Sequence, residues 1–409
     1  MLAPEASIVI VGAGQAGVQV ADSLRQEGHK GPITLIGEEA HPPYQRPPLS
    51  KDYLAGSLLE AQLYLRTPEM LARKEITLVT TARITAIDME ARQAIASEGR
   101  HFTFDALALA TGCRARPLPV EGASLAGVLT LRGIDDTKRI AESLSVANRV
   151  VVIGGGFIGL EIAATARSVG KDVTVLEGAD RLMARAVSPV ISEHFLAIHR
   201  TRGVHVELGA KVVGLSGTGG HVASVETSDG KSWPADVVII GIGIIPNDDL
   251  ARSMGLACDN GIIVDACSRT SAPAIVAAGD CTARRLEGTD RLLRLESVQN
   301  AVEQGKSAAA ALMGRERPFV ATPWFWSDQY DEKLQMAGLS AGYDQIVIRG
   351  SQAGNVFSAF YFRYGKLLGS DSVNQPKDHM ATRRILDKKV NLSPEQAEDA
   401  AVNFQALLK

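Results

Sequence analysis

A chain of 409 residues is too long for one compact core, and at roughly 100 to 200 residues per domain it predicts two or three domains. Hydrophobic residues make up 45%, charged residues 22%, and the net charge is −3, so neither a nucleic-acid-binding protein nor a disordered chain is indicated. The N-terminus enters an apolar strand without a basic leader, and no apolar run reaches the ~20 residues that cross a bilayer, so we expect a cytoplasmic protein.

Short valine- and isoleucine-rich runs alternate with helix-like stretches through the first three quarters of the chain. Continuous apolar strands flanked by helices predict parallel sheets buried on both faces, and hence an α/β fold. The predicted strands lie at residues 7–12, 32–37, 106–112, 149–156, 172–178, 236–243 and 274–280.

The first fingerprint is SIVIVGAGQAG, which places Gly12, Gly14 and Gly17 between a predicted strand and a predicted helix. Glu38 follows Gly17 by 21 residues, at the end of the next strand. A tight turn, a close backbone approach to a pyrophosphate, a helix N-terminus and a carboxylate for the ribose are what a dinucleotide site requires. This segment therefore predicts a bound dinucleotide.

The second fingerprint is RVVVIGGGFIGLEIA, with Gly154, Gly156 and Gly159, followed after 18 residues by Glu177. Two fingerprints predict two dinucleotides, and FAD with a nicotinamide nucleotide fits best. A carboxylate at Glu177 repels a 2′-phosphate, so we expect NADH rather than NADPH, although Arg181 and Arg185 lie close downstream and oppose this preference.

Two further strand ends suit a flavin site. LATG carries Thr111 and Gly112, and AAGD carries Gly279 and Asp280. Their order around the second fingerprint predicts a discontinuous FAD-binding domain at 1–113 and 243–320, interrupted by an NAD-binding domain at 114–242.

The remaining segment, 321–409, differs in composition, because 11 of the 20 aromatic residues follow Val320. Its apolar runs predict antiparallel strands with a Tyr-Gly turn. Ser393 followed by Pro394 predicts the start of a last helix, which we expect to close the chain. We therefore expect a C-terminal α+β domain with an antiparallel sheet.

The cysteines and histidines indicate no further centre. His194, His199 and His205 lack the i,i+4 spacing of a helical metal site, so we expect packing or surface roles and no metal. Disulfide, zinc and dithiol centres are disfavoured because the four cysteines are far apart and form no CxxC pair: Cys113, Cys258, Cys267 and Cys281.

The motifs together resemble the FAD-dependent NADH:ferredoxin reductases that serve oxygenases, which have a glutathione-reductase-like fold. The resemblance covers essentially the whole chain and is carried by GAGQAG, RPPLSK, LATG, GGGFIGLE, GIGIIPN, AAGD, ESVQNA and PWFWSDQY. It implies two Rossmann-like FAD- and NAD(P)-binding domains with a C-terminal α+β domain.

The resemblance also implies which residues contact the cofactors. For FAD these are Ala16, Glu38, Lys51, Ile84, Arg132, Asp280 and Val298, to which the fingerprint and strand ends add Gly12, Ala13, Gly14, Gly17, Thr111, Gly112 and Gly279. Arg46 is expected to reach the adenine or pyrophosphate end. For NAD the expected residues are Gly154, Gly156, Phe157, Ile158, Gly159, Glu177, Arg185, Gly241 and Gly243.

Three residues are expected to act at the flavin ring. The resemblance implies an ion pair of Lys51 and Glu161 beside the ring, with Trp326 at the ring's exposed edge. From the residues alone, Lys51 could instead be a surface charge and Glu161 an acid in the first turn of its helix. Trp326 could be a core aromatic residue, which is the role we expect for Phe325 and Tyr330.

Relatives that reduce disulfides carry a cysteine pair after the first fingerprint or a single cysteine near RPPLSK, and this chain has neither. A flavin reduced by NADH must then release its electrons singly, which implies a one-electron acceptor such as a [2Fe-2S] ferredoxin feeding a cytochrome P-450 or another oxygenase. An acidic ferredoxin would dock on basic residues, for which the candidates are Arg66, Arg294, Arg383, Arg384, Lys388 and Lys389.

Other functions fit the same motifs. Reduction of rubredoxin, of a monodehydroascorbate-type radical or of oxygen would use the same two fingerprints. A redox-sensing flavoprotein similar to apoptosis-inducing factor shares RPPLSK, but a targeting segment, a C-terminal insertion or a basic DNA-binding surface would be expected there. We expect no nucleic-acid or membrane partner, and a monomer or weak dimer.

Overall fold

The computed structural model describes Ala3 and residues 5–285 and 291–408. This part of the chain forms two compact units. The first unit takes the N-terminal residues to 45, 60–114 and 244–320, and the second takes 46–59, 115–243 and the residues from 321 onward. The three-domain division stays a prediction; its residues 1, 2, 4, 286–290 and 409 lie outside the described ranges.

The first unit is built on a five-stranded parallel sheet. Four of its strands are largely buried, and the edge strand Ile76–Val79 is less so. Helices Gln15–Gln26 and Val298–Leu312 pack on one face of the sheet, and the small three-stranded sheet that begins at Ile84 packs on the other. In spatial order the strands are Ile275–Ala277, Ala106–Leu109, Ile8–Val11, Ile33–Ile36 and Ile76–Val79.

Smaller elements complete the first unit. Its helices are Gln15–Gln26, Glu60–Leu63, Pro68–Arg73, Asp249–Ser253 and Val298–Leu312. Two three-stranded sheets contain Ile84–Asp88, Gln93–Ala96 and His101–Thr103, and Ile262–Val264, Thr282–Arg285 and Leu292–Leu293. Short strands also run over Cys113–Ala115 and Ile244–Pro246.

The second unit contains another five-stranded parallel sheet, so both predicted Rossmann-like halves are present. Its strands in spatial order are His205–Leu208, Asp172–Glu177, Arg149–Ile153, Val237–Ile240 and Val128–Thr130. The helices beside it are Ile134–Val146, Phe157–Ser168 and Pro189–Thr201. An antiparallel sheet of Val212–Thr218, His221–Thr227 and Ser232–Pro234 is appended.

The C-terminal segment forms the predicted antiparallel sheet within the second unit. Its strands in spatial order are Trp324–Gln329, Glu332–Gly338, Lys366–Val373, Val356–Arg363 and Gln345–Ser351. The Tyr-Gly turn is confirmed at Tyr364 and Gly365. Helices Pro376–Asp387 and Pro394–Glu398 and a 3-10 turn at Ala406–Leu408 follow.

Two sequence signals have clear outcomes here. Ser393 does cap the last helix, since its side chain accepts a hydrogen bond from the amide of Gln396, but that helix ends early, at Glu398. The predicted α/β class with a C-terminal antiparallel sheet is confirmed. In the described ranges no helix is both long and apolar enough to cross a bilayer.

Candidate dinucleotide sites and active site

The first fingerprint has the backbone geometry of a phosphate-binding turn. Gly12 has a φ of +113°, and a Cβ there would lie 2.1 Å from the carbonyl oxygen of Ala110. A Cβ on Gly17 would lie 1.9 Å from the oxygen of Gly12, whereas a Cβ on Gly14 would meet nothing within 4 Å. The outer glycines are therefore required by the protein's own packing, and the middle one faces open space where a pyrophosphate could approach.

Gly14 is also the N-cap of helix Gln15–Gln26, the first fingerprint helix, and no side chain of the described residues caps it. Its first amides are thus available to an anion, as the macrodipole favours. Glu38 follows strand Ile33–Ile36 with a side chain that is 64% exposed, 3.4 Å from the guanidinium of Arg83, and could accept hydrogen bonds from a ribose. These groups fit one dinucleotide.

Residues that the sequence did not indicate hold the two strand ends at Thr111-Gly112 and Gly279-Asp280. Thr111 donates to the oxygen of Asn247 at 2.6 Å, and the Asn247 amide donates back to the oxygen of Thr111 at 2.9 Å. The buried Gln304 accepts from the amide of Gly279 at 2.8 Å. Asp280 accepts from the thiol of Cys113 at 3.4 Å.

Gln304 and Asn247 are about 25 and 136 residues from the groups they hold, so no local pattern could have revealed them. Other residues of the predicted FAD set lie in the same unit: Ala13, Ala16, Ile84, Gly112 and Val298. Ala16 is placed so that a Cβ on Gly279 would meet its methyl at 2.9 Å, which brings the fingerprint helix against the Gly279-Asp280 turn. The contacts of this set with FAD remain a prediction.

Arg46 and Arg132 meet each other in the second unit. Arg46 donates to the carbonyl oxygen of Arg132 at 2.5 Å, and the amide of Arg132 donates to the Asp136 carboxylate at 2.9 Å. Their FAD contacts, expected from the sequence, remain a prediction.

The second fingerprint repeats the geometry of the first. Gly154 has a φ of +109°, with a Cβ position 2.5 Å from the oxygen of Gly241. A Cβ on Gly159 would lie 2.2 Å from the oxygen of Gly154, and one on Gly156 would meet nothing within 4 Å. Helix Phe157–Ser168, the second fingerprint helix, starts after Gly156 without a side-chain cap from the described residues. A second dinucleotide fits here.

The Glu177 carboxylate lies against this turn. It accepts from the amide of Gly155 at 2.5 Å and from the amide of Ala179 at 2.7 Å. Arg181 is occupied elsewhere, because its guanidinium donates to Val187 O, Ser192 Oγ and Ala184 O at 2.6 to 2.9 Å. Arg181 is therefore not available for a 2′-phosphate in this conformation.

The other predicted NAD residues surround the same turn. A Cβ on Gly243 would lie 3.2 Å from the Arg185 guanidinium, which places Arg185 over the end of strand Val237–Ile240. Ile158 is 45% exposed on the helix start, and Phe157 packs on Phe325 with ring centroids 4.9 Å apart. Arg185 thus lies at the glycine-rich strand end rather than beside Glu177.

Lys51 and Glu161, which are 110 residues apart, form an ion pair inside the second unit. The Lys51 ammonium lies 2.9 Å from Glu161 Oε1, with side-chain exposures of 17% and 2%. Glu161 also accepts from Ser50 Oγ at 2.5 Å and from Ser327 Oγ at 2.7 Å. A surface charge is thus excluded for Lys51.

The role of Glu161 as a first-turn helix acid is wrong. The second fingerprint helix begins at Phe157 and has no acidic residue in its first turn, so Glu161 lies in the second turn and faces inward. Breaking a buried ion pair is strongly destabilising, while an apolar substitute for the whole pair is often neutral, so this pair is weak evidence for stability. Its role at the flavin remains a prediction.

The segment RPPLSK reaches Glu161 because it is anchored to two helices. Its prolines start the 3-10 turn Pro47–Ser50. Thr165, one turn after Glu161, donates to the oxygen of Ser50 at 2.8 Å, and Thr137 donates to the oxygen of Leu49 at 3.4 Å. Lys51 therefore leaves a rigid turn at a fixed place beside Glu161.

Trp326 lies on the edge strand of the C-terminal sheet, Trp324–Gln329, and is partly exposed. It stacks on Trp324 with centroids 5.5 Å apart, and the Arg383 guanidinium lies 4.5 Å from the Trp324 ring. His379 contacts the same ring edge-on, and burial together with Arg383 lowers the pKa of His379 to about 4. The cluster therefore carries its positive charge on Arg383.

The core role expected for two neighbouring aromatic residues is consistent with their packing. Phe325 contacts Phe157, and burial raises the pKa of the Tyr330 hydroxyl to about 12. None of the four cysteines, all of which lie in the described ranges, forms a disulfide. Over residues 5–285 and 291–408 no group of three or more histidine, cysteine or acidic side chains could hold a metal ion.

Comparisons with known proteins agree with this geometry. The pyridine nucleotide-disulphide oxidoreductase model matches residues 6–305, and the reductase C-terminal model matches 324–408. The chain belongs to the pyridine nucleotide-disulphide oxidoreductase family. Members of this family use FAD and NAD(H), so the two expected cofactors are confirmed.

Individual relatives within the family match over nearly their full length. Rhodocoxin reductase from Rhodococcus erythropolis is 48% identical over 96% of this chain and 92% of its own. Putidaredoxin reductase CamA from Pseudomonas putida is 42% identical over 98% and 96%. The crystal structure of the ferredoxin reductase for the CYP199A2 system from Rhodopseudomonas palustris has a TM-score of 0.96 at 44% identity, covering 98% and 100%. The resemblance to ferredoxin reductases is thereby confirmed.

Proposed function

We propose that this flavin-dependent oxidoreductase is an NADH-dependent ferredoxin reductase. It passes the two electrons of NADH through FAD to a [2Fe-2S] ferredoxin, one at a time, and that ferredoxin supplies a cytochrome P-450 or another oxygenase. The names of the relatives support each part, since they are reductases of rhodocoxin, of putidaredoxin and of the ferredoxin of a CYP199A2 system. We place the protein in the cytoplasm as a monomer or weak dimer.

One observation carries this proposal: a single chain holds two glycine fingerprints, each with its middle glycine open to a ligand. When bound, FAD accepts a hydride from NADH and releases electrons one by one. The chain's own part is to hold the pyrophosphates at Gly14 and Gly156, and the adenosine riboses at Glu38 and Glu177. In the described residues none of the four cysteines forms a disulfide, which supports a route without one.

Lys51 and Glu161 are proposed to act at the flavin ring. The Lys51 ammonium stabilises negative charge that builds on the ring during reduction, and Glu161 holds that ammonium at 2.9 Å. Trp326 is proposed to lie at the exposed edge of the ring. The partial exposure of Trp326 and its stacking on Trp324 suit a surface on which a partner docks.

The second site should strongly prefer NADH. Because Glu177 lies against the turn and Arg181 is engaged with backbone oxygens, a 2′-phosphate would meet a carboxylate without a compensating arginine. We expect kcat/KM for NADH to exceed that for NADPH by about 100-fold, since like charges in contact cost several kcal/mol.

Glu177→Ala tests the cause of this preference. The variant should bind NADH about tenfold more weakly, through the loss of a charged hydrogen bond, and should discriminate less against NADPH. Glu207→Ala, on the neighbouring strand and paired with Lys231, is the control that should leave both constants unchanged. Equal use of NADH and NADPH by the unaltered enzyme would contradict the assignment.

The proposed docking face is narrower than the sequence indicated. The Arg294 side chain is only 11% exposed and lies 2.6 Å from Glu296, so it is not a surface cation. Arg66 is engaged with Asp22 at 2.7 Å. The remaining four basic residues lie on or just after helix Pro376–Asp387. Arg383 is partly buried, and the other three are exposed: Arg384, Lys388 and Lys389.

Acceptor turnover tests the function. With NADH as donor, a [2Fe-2S] ferredoxin should be reduced far faster than rubredoxin, a monodehydroascorbate-type radical or oxygen. Ferredoxin turnover should fall as salt rises from 0.1 M to 1 M, where the Debye length shrinks from about 10 Å to about 3 Å, while flavin reduction at saturating NADH stays constant.

The double variant Arg384→Glu/Lys389→Glu should raise KM for ferredoxin without slowing flavin reduction, and Lys231→Glu is the matched control on a remote surface. Preferential reduction of rubredoxin or oxygen would replace the proposal with the corresponding reductase or oxidase. Slow NADH oxidation with no ferredoxin reduction would favour a sensing flavoprotein.

A further inference from the structure

A row of hydrogen-bonded, buried polar side chains leads away from Glu161, starting at Ser327. Ser327 donates to Glu161 Oε1 at 2.7 Å, Gln329 donates to Ser327 Oγ at 3.2 Å, and His199 Nε2 lies 2.9 Å from Gln329 Oε1. These four residues are at most 2% exposed. Neither cofactor site described above requires the last three of them.

Ser327 and Gln329 belong to the edge strand of the C-terminal sheet, where successive side chains point to opposite faces. Phe325, Ser327 and Gln329 point to one face, where they meet Phe157, Glu161 and His199 in turn. Trp324 and Trp326 point to the other face. One strand therefore carries the aromatic surface on one side and the contact to Glu161 on the other.

The hydrogen bonds that link Glu161, Ser327, Gln329 and His199 can have only one donor-to-acceptor direction. Because a serine hydroxyl has a single proton and a carboxylate accepts, Ser327 gives its proton to Glu161 and must accept from Gln329. The Gln329 amide nitrogen then points to Ser327, with Met183 Sδ at 3.9 Å as its second contact, which leaves the amide oxygen for His199.

The same reasoning determines which ring nitrogen of His199 carries the proton. Its Nε2 must carry the proton that Gln329 accepts, so Nδ1 is left as an acceptor, and the Tyr330 hydroxyl lies 3.4 Å from it. Burial lowers the pKa of His199, which favours this neutral form. Each polar atom from Tyr330 to Glu161 thus has the partner that its neighbour requires, and aligned hydrogen bonds of this kind reinforce one another.

We propose that Ser327 is a positioning residue for Glu161, and that Gln329 and His199 fix the direction in which Ser327 donates. The inference rests on the proposed role of the Lys51–Glu161 pair at the flavin ring. Glu161 Oε1 is shared by Lys51 and Ser327, while Oε2 is held by Ser50. Loss of the Ser327 hydroxyl frees one side of Oε1, and the carboxylate and its ammonium then turn away from their set orientation.

Ser327→Ala tests this directly, with Ser358→Ala as a matched control. Ser358 is a fully buried serine of the same sheet that donates to another carboxylate, Asp378, at 2.9 Å. Both variants should lose similar thermal stability. Only Ser327→Ala should slow flavin reduction by NADH, roughly tenfold, with the Kd for NAD+ unchanged, and shift the flavin's midpoint potential and visible absorption bands.

Gln329→Leu keeps the inference testable if Ser327→Ala does not fold. It removes the donor to Ser327 but leaves that hydroxyl in place, so it should give a smaller slowing in the same direction. In a double variant with Lys51→Met, Ser327→Ala should cause little further slowing, because both act through the same pair.

The results of these variants distinguish failure of the Ser327 inference from failure of the role proposed for Lys51 and Glu161. If Lys51→Met slows flavin reduction but Ser327→Ala changes stability alone, the buried chain only fastens the sheet and the inference fails. If Lys51→Met leaves flavin reduction unchanged, the proposed role of the ion pair itself fails. Full additivity of the two variants would also overturn a positioning role for Ser327.

Discussion

Lys51→Met should reduce flavin at roughly one hundredth of the unaltered rate, because a fixed charge directed at developing charge contributes about 100-fold or more in a buried site. The substitution removes the ammonium and keeps much of the side-chain volume. The variant should lose thermal stability, because the buried Glu161 carboxylate loses its cation, but its hydrogen bonds from Ser50 and Ser327 remain, so we expect it to fold and hold FAD. Anaerobic stopped-flow mixing with NADH, followed by flavin absorbance, measures the rate.

Lys231→Met is the control for this substitution. Lys231 also forms ion pairs in the second unit, with Glu207 and Asp229, but its side chain is half exposed and remote from both fingerprints in the sequence. It should leave flavin reduction unchanged. An unaltered rate and an unaltered charge-transfer spectrum in Lys51→Met would remove Lys51 from the active site.

Gly14→Ala and Gly156→Ala should separate the two cofactors. Both glycines have negative φ values, −89° and −82°, and their Cβ directions are open, so alanine fits the protein itself. A methyl group in the path of a bound pyrophosphate costs about 1–3 kcal/mol, which is roughly 5- to 150-fold in affinity. Gly14→Ala should purify depleted of FAD, whereas Gly156→Ala should retain FAD and bind NADH weakly.

Gly17→Ala is the contrasting variant, since its methyl would lie 1.9 Å from the oxygen of Gly12 and the turn itself would have to move. It should lose thermal stability as well as FAD. Flavin fluorescence after denaturation gives the FAD content, and titration with NAD+ gives the second affinity. Loss of FAD from Gly156→Ala with retention by Gly14→Ala would reverse the assignment of the fingerprints.

The elements with local causes could be predicted from the sequence. Apolar runs such as Ile8–Val11 and Arg149–Ile153 became parallel strands because burial on both faces leaves no room for alternation. The fingerprints were equally clear, since the positive φ of Gly12 and Gly154 and the close approach of Gly17 to Gly12 and of Gly159 to Gly154 are local features of each turn.

The surroundings of Glu161 could not be predicted in this way. Its partners Ser50, Lys51 and Ser327 come from segments 110 to 166 residues away, and nothing in the local pattern of a serine indicates which carboxylate it will meet. Only the family resemblance paired Lys51 with Glu161. For the same reason His199 was expected to be a packing residue, which describes its burial but not its hydrogen bond to Gln329.

The solvent exposure of the basic side chains also could not be predicted from the sequence. Arg294 and Lys389 were both expected on the docking face, yet the Arg294 side chain is only 11% exposed while Lys389 is exposed. Arg181 looked able to bind a 2′-phosphate until its guanidinium was found to hold three backbone and side-chain oxygens. The sequence shows which side chains are charged, but whether a charged side chain can bind a ligand or a partner depends on its tertiary contacts.

The route of the electrons is the central claim, and its stoichiometry tests it most directly. The FAD-loaded enzyme is mixed anaerobically with limiting NADH and excess oxidised [2Fe-2S] ferredoxin, and the absorbance of each is followed. We expect two ferredoxins to be reduced for each NADH oxidised, with one proton released. Oxidation of NADH without ferredoxin reduction, in an enzyme whose flavin is reduced normally, would contradict the account.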